Sequence, residues 1–270
     1  MKKSILSLFA ILLLIGCSKE NSEVSKSITV AVYADKTLYN GVETLITAAP
    51  TGSVSEVVFY FEGQSIGSSI SSPYSVKFTP ENIKPGGYTV SCVAKNSNNT
   101  YKGDVSVNVV LRLGDEFEGG KIFYLNSPGD HGLISSKTDL TYSGEFGDET
   151  RFSWGAESLL GTENSNGKNN TKLMSESAPS SGYAGFLFKN GGFSQNGFSD
   201  WYIPSIEELE LLKENKKYVC GFSNNTDWEA MYWSSSESNE KEAFILNFNA
   251  LMGNTNNKIR AFKIRPIRSF

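Results

Sequence analysis

Cysteine and histidine are nearly missing from this 270-residue chain, which has three cysteines, at positions 17, 92 and 220, and one histidine, His131. A single imidazole leaves no His cluster for zinc or non-haem iron. A catalytic triad built on His131 would have no Gly-x-Ser-x-Gly elbow to complete it. Basic charge is also short: 25 Lys and Arg against 29 Asp and Glu leave a net charge of −4. That balance argues against a nucleic-acid partner, which is held by a basic patch or stripe. No Gly-X-Y repeat is present to impose a collagen-like trimer. Gly-Phe-Ser recurs at 192, 197 and 221, an irregular spacing that supports no solenoid. The apolar run 5–15 is too short for an ordinary membrane span.

What flanks that run is informative. Met1-Lys2-Lys3 precedes it and Leu14-Ile15-Gly16-Cys17 closes it, giving the basic, apolar and small-residue regions of a secretion signal over residues 1–16. The closing tetrad resembles the bacterial lipobox. The resemblance implies cleavage before Cys17, a diacylglyceryl thioether on its sulfur, and durable anchoring by several acyl chains; the alternative is an ordinary signal peptide with an incidental cysteine. Ser18, where an Asp would favour retention at the inner membrane, is similar to Gram-negative outer-membrane sorting signals. Lys19-Glu20 is similar to some surface-export signals. The expected location is therefore the outer membrane, lipid-anchored and surface-exposed, with residues 17–27 as a charged flexible tether. Removing Lys2 and Lys3 with the signal takes the net charge from −4 to −6.

Residues 28–111 alternate in short runs rich in Val, Thr, Ser and Tyr, among them Val57-Val58-Phe59-Tyr60-Phe61 and Tyr88-Thr89-Val90-Ser91-Cys92-Val93-Ala94. Gly and Pro clusters separate them, a spacing that predicts an antiparallel β-sandwich. The blocks Glu62-Gly63-Gln64-Ser65-Ile66-Gly67, Pro73-Tyr74-Ser75-Val76 and Gly87-Tyr88-Thr89-Val90 are similar to bacterial immunoglobulin-like domains, which most often act as spacers. Cys92 then falls on an inward-facing position and reads as a small buried hydrophobe. With Cys220 in a different domain, no disulfide between them is expected.

From residue 112 to 270 the character changes, with more Gly, Asn and aromatics. Lys121-Ile122-Phe123-Tyr124-Leu125 and His131-Gly132-Leu133-Ile134-Ser135 predict a hairpin around an Asn-Ser-Pro-Gly-Asp turn. The polar segment 161–170 reads as a loop that composition alone allows to be disordered, and Thr171-Lys172-Leu173-Met174 opens a short helix. In Gly197-Phe198-Ser199-Asp200-Trp201-Tyr202-Ile203-Pro204-Ser205-Ile206-Glu207-Glu208-Leu209 an aromatic strand meets a helix start. Ser205 and Glu208 have capping-box spacing, and Ile206, Leu209 and Leu212 share one helical face. Further on, 243–248 reads as a strand, 253–257 as a turn, and 258–270 as one final strand.

The order Gly119-Gly120-Lys121-Ile122-Phe123-Tyr124, His131-Gly132-Leu133-Ile134, Asp200-Trp201-Tyr202-Ile203-Pro204-Ser205, Tyr232-Trp233-Ser234-Ser235 and Ile264-Arg265-Pro266-Ile267-Arg268 resembles the C-terminal domain of the Lcl collagen-like adhesin family. The resemblance implies an irregular α+β domain akin to C-type lectins and formylglycine-generating enzymes, and a role at the cell surface that includes adhesion to sulfated glycans in relatives. Members often carry a cysteine before the Asp-Trp block. Residues 180–196 have none, which puts a family disulfide to Cys220 in doubt. Formylglycine-type oxidation needs a reactive cysteine pair, and only Cys220 lies on this domain.

Individual residues sort as follows. Trp201 and Trp233 read as core anchors, each worth roughly 4–6 kcal/mol of burial at the usual area coefficient. Asp200 either bonds its loop or ligates calcium. One of Arg265 and Arg268 is expected to be partly buried and paired with Asp200 or Glu208. Together with Lys258, Arg260 and Lys263 they form the densest basic segment, either a solvated strand face or an anionic-glycan contact. Trp228, in a polar loop, is the first choice for stacking on a sugar ring, with simple packing as the alternative. Tyr183, Phe186 and Phe188, read as lying in a Gly-rich loop, follow as a second group. The expected whole is an immunoglobulin-like sandwich presenting a lectin-like domain that binds an extracellular glycan or cell-surface protein without a cofactor. A structural role in a surface complex is the alternative, and an enzyme the third reading.

Overall fold

The computed structural model describes residues 27–144, 147–191, 193–225, 227–250 and 253–270. Residues 1–16, Cys17 and the tether up to residue 26 lie outside them. Among the described residues no helix is long and apolar enough to cross a membrane.

The first eight strands are β1 (Val30–Tyr33), β2 (Thr37–Tyr39), β3 (Thr44–Pro50), β4 (Glu56–Phe61), β5 (Gln64–Ser69), β6 (Tyr74–Phe78), β7 (Gly86–Lys95) and β8 (Thr100–Val110). They form two sheets, ordered β1-β3-β6 and β2-β8-β7-β4-β5. All pairs are antiparallel except β2 with β8. Alternation sends Val57, Phe59 and Phe61 of β4 and Val90, Cys92 and Ala94 of β7 into one core with Ile46, Val107 and Val109, as a period of two requires. Cys92 is fully buried opposite Phe59, and burial raises its thiol pKa. Gly103 is needed where β1 crosses β8, because a Cβ there would lie 2.2 Å from the Val30 carbonyl oxygen.

Leu111 already packs with Phe117, Ile122, Ile134 and Trp201 of the second unit. That unit contains β9 (Glu116–Phe117), β10 (Gly120–Leu125), β11 (Gly132–Ser135), β12 (Tyr142–Gly144), β13 (Gly147–Glu149), β14 (Phe152–Ser153), α1 (Gly167–Ser177), α2 (Ile206–Glu214), β15 (Met231–Glu237), β16 (Glu242–Asn247), β17 (Gly253–Asn257), β18 (Ala261–Phe262) and β19 (Ile267–Ser269). The sheets are small: β19-β11-β10-β9, β15-β16-β17, and the ribbons β12-β13 and β14-β18. The architecture is thus an all-β sandwich followed by an α+β unit. The two meet where Asn40 Nδ2 donates to the Glu116 carbonyl (2.8 Å) and the Glu118 N–H donates to Asn82 Oδ1 (2.6 Å).

Three consecutive residues hold the second unit together. Trp201 packs with Leu111 and Phe117, Tyr202 with Phe123, Leu209 and Phe248, and Ile203 with Trp154, Met174 and Trp233, so each enters a different apolar cluster. They are not a strand. Only Tyr202 bridges to Ile267, because neighbouring side chains must reach cores on different sides. Pro204 and Ser205 then start α2. Ser205 Oγ accepts from Glu208 N–H (3.3 Å) and Glu208 Oε2 accepts from Ser205 N–H (2.8 Å), completing the capping box. Such a cap contributes roughly 0.5–2 kcal/mol. Glu208 also accepts from Gly167 N–H (3.1 Å) and the Tyr202 hydroxyl (3.0 Å), tying together the starts of both helices. Gly167 permits this approach, since its Cβ would lie 2.4 Å from Glu208 Oε2.

Four expectations need correction. The 253–257 segment is a strand, β17, pairing all along β16 from Gly253 to Asn257. The single strand expected over 258–270 is instead broken into β18 and β19. Between them the carbonyls of Lys263, Ile264 and Pro266 accept from Trp233, Leu140 and Ser136, three different partners, as the chain threads between cores. The 161–170 loop is anchored: Asn166 caps α1, and buried Asn170 exchanges hydrogen bonds with Glu163. Phe186 and Phe188 belong to a 3-10 helix, Ala184–Gly191, not a loop.

Candidate functional site

Four cations of the basic segment, Lys258, Lys263, Arg265 and Arg268, are matched by carboxylates of the chain itself. Lys258 is fully buried, its Nζ 2.7 Å from Glu237 Oε2 and 2.7 Å from the Ser158 carbonyl, and 4.6 Å from the Trp154 ring centroid. Glu237 in turn accepts from the N–H groups of Leu160 (2.9 Å), Gly161 (2.6 Å) and Thr162 (3.1 Å). Burial pushes this carboxyl up. The Lys258 hydrogen bond and the backbone donors outweigh that and hold it below the usual carboxylate range. Lys258, expected as a ligand contact, is therefore not a surface cation, because its charge completes a buried pair that anchors the 158–162 loop.

Both arginines further along are buried too. Arg265 donates through Nε (2.8 Å) and Nη2 (2.6 Å) to Asp139 Oδ1, and through its Nη atoms to the carbonyls of Ser136, Cys220 and Gly221. Its partner is thus Asp139, neither Asp200 nor Glu208. Asp200 belongs to Arg268, which makes a two-bond fork to it (2.8 and 2.9 Å), reaches Glu118 Oε2 (2.8 Å), and stacks 4.1 Å over Phe198. Burial works to raise the Asp200 carboxyl, and Arg268 brings it below its ordinary value. Trp233 is buried with its indole N–H donating to the Phe152 carbonyl (3.0 Å), and Trp201 likewise donates to Gln195 (3.2 Å). Trp201, Ser205, Trp233 and Arg265 are accordingly buried framework, with Glu208 half-buried and Asp200 an exposed carboxylate held by Arg268. No group of three or more His, Cys, Asp or Glu placed to hold a metal occurs among the described residues. Cys92 and Cys220 are both free thiols.

Other sequence candidates come to the surface along one extended segment. Phe152 and Trp154 are buried while Arg151 and Ser153, which alternate with them, are not, the period-two pattern that puts Arg151 and Ser153 on the outer face. Ser153 N–H donates to the Gly182 carbonyl (3.0 Å) and its hydroxyl to the Ile259 carbonyl (3.1 Å), which brings Tyr183 and the Ile259-Arg260 turn beside it. Ile259 is exposed, as is Arg260. One step along, the Arg151 guanidinium lies 4.2 Å from the Trp228 ring centroid. Trp228 opens a one-turn 3-10 helix capped by Asp227 and is 54% exposed. Trp228, Tyr183 and Arg260 thus gather around Arg151 and Ser153. Phe186 stands apart, lining a cavity of about 500 Å³ with Tyr142, Leu187 and Phe193. Arg151 was not legible beforehand, and the only signal was its place in the alternation around Phe152.

Comparison with known families adds to the first unit. The model of the bacterial Ig domain family matches residues 18–92, overlapping the two sheets described above. Residues 30–110 form an immunoglobulin-like domain. The fibronectin(III)-like modules of Clostridium thermocellum CbhA are similar at 24% identity and a TM-score of 0.27, over 31% of this chain and 98% of that one. A CARDB domain from Pyrococcus furiosus is similar at 18% identity and 0.25, over 32% and 94%. The endo-beta-1,4-mannanase from Thermotoga petrophila is similar at 12% identity and 0.26, over 34% of this chain and 22% of the enzyme. None of the curated proteins compared matches the chain. The immunoglobulin-like domain ends where Leu111 enters the core of the α+β unit.

Proposed function

We propose that the protein is a lipid-anchored cell-surface binding protein, in which the immunoglobulin-like domain is the stalk and the α+β unit, of C-type-lectin-like type, binds an extracellular glycan without catalysing a reaction. The observation that carries this reading is Trp228, an indole more than half exposed and fixed in place by Arg151 and a capped turn. A rigid exposed aromatic offers an apolar face to a sugar ring at little entropic cost. The resemblance to the adhesin C-terminal domain points the same way, and so does the lipobox at Cys17 for the anchor.

Two measurements test it. Cys17→Ser is expected to move the protein from the membrane to the soluble fraction of cells, and unchanged membrane retention would remove the anchor from the proposal. That released full-length protein, applied to a glycan array, is expected to bind a polysaccharide class, and Trp228→Ala on the same background should weaken binding by about tenfold or more with an unchanged melting curve. An array without any binding, together with a stable surface complex recovered by crosslinking on cells, would favour the structural alternative.

A further inference from the structure

Three arginines of the second unit are wholly or largely buried, and they differ in one respect. Arg265 spends its donors on Asp139 and three backbone carbonyls, and Arg268 spends its own on Asp200 and Glu118. Arg151, with only 27% of its side chain exposed, donates no side-chain hydrogen bond to any of the described residues. Its Nε is buried without a partner. Its nearest carboxylate oxygen, Glu229 Oε1, is 3.8 Å from Nη2, beyond hydrogen-bonding distance, while Glu229 Oε2 is engaged by Asn225 Nδ2 at 2.6 Å. The buried Nε is out of a ligand's reach, but the Nη groups, which have no hydrogen-bond partner among the described residues and are not among the buried unsatisfied atoms, are left for an acceptor from outside the chain.

We infer that Arg151 is the specificity-determining residue of the Trp228 face, and that it selects a sugar bearing a carboxylate, a uronic acid unit, next to the ring that stacks on the indole. The inference rests on the glycan reading above. The guanidinium carbon lies 4.2 Å from the indole centroid, which holds the group against the exposed ring, and of its nitrogens only Nε is both buried and unpartnered among the described residues. A planar fork fits a carboxylate with two parallel bonds, a match that the point charge of a lysine cannot reproduce. The ring presents apolar C–H groups to the free part of Trp228 while its carboxylate meets the fork. Glu229 is the competing anion: a ligand carboxylate takes the place at Arg151 that Glu229 holds only at ion-pair distance.

Affinity electrophoresis of the full-length Cys17→Ser protein through gels containing polygalacturonate, alginate, fully methyl-esterified polygalacturonate or a sulfated galactan separates the outcomes. Retardation by at least one uronate polymer is expected, with the methyl ester, whose carboxylates are capped, about tenfold weaker. Arg151→Lys should abolish that difference while leaving the weaker binding to the ester intact. Glu229→Gln, which removes the competitor, should tighten uronate binding. Equal retardation by polygalacturonate and its ester, unaltered uronate binding in Arg151→Lys, or stronger binding to the sulfated galactan that survives Arg151→Lys would each overturn the role of Arg151 and leave the glycan reading standing. Retardation by none of the four polymers overturns this inference; absence of binding on the glycan array as well overturns both.

Discussion

Lys258→Met is expected to lower the stability of the α+β unit by about 3–5 kcal/mol, the cost of leaving a buried charge without its partner. Glu237 would keep the N–H groups of Leu160, Gly161 and Thr162 but lose the Lys258 ammonium. The pH dependence identifies the cause. In the native protein the Glu237 carboxyl is held below its usual range, so its contribution is fully present above the unfolded carboxylate pKa of about 4.3 and is lost as pH falls through the lower folded value. In Lys258→Met the largest opposing effect, burial, acts with its main counterweight gone, and the carboxyl is pushed up. The variant therefore gains relative to the native protein as acid neutralises Glu237, and the gap between their denaturation midpoints should narrow from pH 7 towards pH 4. A gap independent of pH would show that lost packing against Trp154, not the unpaired charge, sets the cost. The double variant Lys258→Met with Glu237→Gln should recover part of the loss, and the cycle measures the coupling directly.

A large loss is also expected for Arg265→Met, about 1–3 kcal/mol for each buried acceptor left without its donor, but with a different signature. Asp139 retains Lys263 at 3.4 Å and the Tyr232 hydroxyl at 3.1 Å, so its charge is not abandoned. What loses its donors is the backbone: the carbonyls of Ser136, Cys220 and Gly221 all accept from the guanidinium. Phe222 also loses the guanidinium stacked 4.1 Å from its ring. Hydrogen exchange should accordingly accelerate around residues 219–223 in Arg265→Met and around 158–162 in Lys258→Met. If both variants opened the same segment, the two ion pairs would not be separate clamps. Neither substitution touches Trp228 or Arg151, so glycan binding at temperatures below the lowered transition should survive in both.

These clamps show where a linear reading succeeds. Ser205 and Glu208 were legible because a capping box is written in a spacing of three residues, and Leu209 and Leu212 because one helical turn sets their phase. Cys92 was legible as a buried small side chain because alternation along a strand is a local property. Trp201 was recognisable as an anchor from its size. That Trp201, Tyr202 and Ile203 serve three separate clusters was not, because the walls of those clusters come from segments as distant as Leu111 and Ile267.

The basic stretch from Lys258 to Arg268 illustrates the opposite case. Its charges are plain in the sequence, where the segment read as a solvated strand face or a glycan contact, and the one pairing expected, an arginine with Asp200 or Glu208, is met by Arg268 and Asp200. Yet Lys258 is matched by Glu237, Arg265 by Asp139 and Arg268 by Asp200 and Glu118, partners up to 150 positions away. Whether a cation is a binding group or a structural one depends on which carboxylate the fold brings within hydrogen-bonding distance, and composition carries no trace of that. Arg151 is the same lesson inverted: an inconspicuous residue becomes a candidate for recognition because the fold gives it an indole and, among the described residues, a carboxylate only at ion-pair distance.

By itself, then, the sequence determined what depends on neighbours along the chain: the alternating strands of the sandwich, the change of character near residue 112, and the capped helix after Pro204. Only the tertiary structure decided the pairings, the breaking of the last strand, the burial of Lys258, Arg265 and Arg268, and the placing of Trp228 against Arg151 and of Tyr183 and the Ile259-Arg260 turn beside Ser153. The physical reason is range. Caps, turns and amphipathic periods act over a few residues and leave a pattern in the sequence, whereas the partner of a charge or the exposure of an aromatic depends on contacts between segments that the chain itself holds far apart.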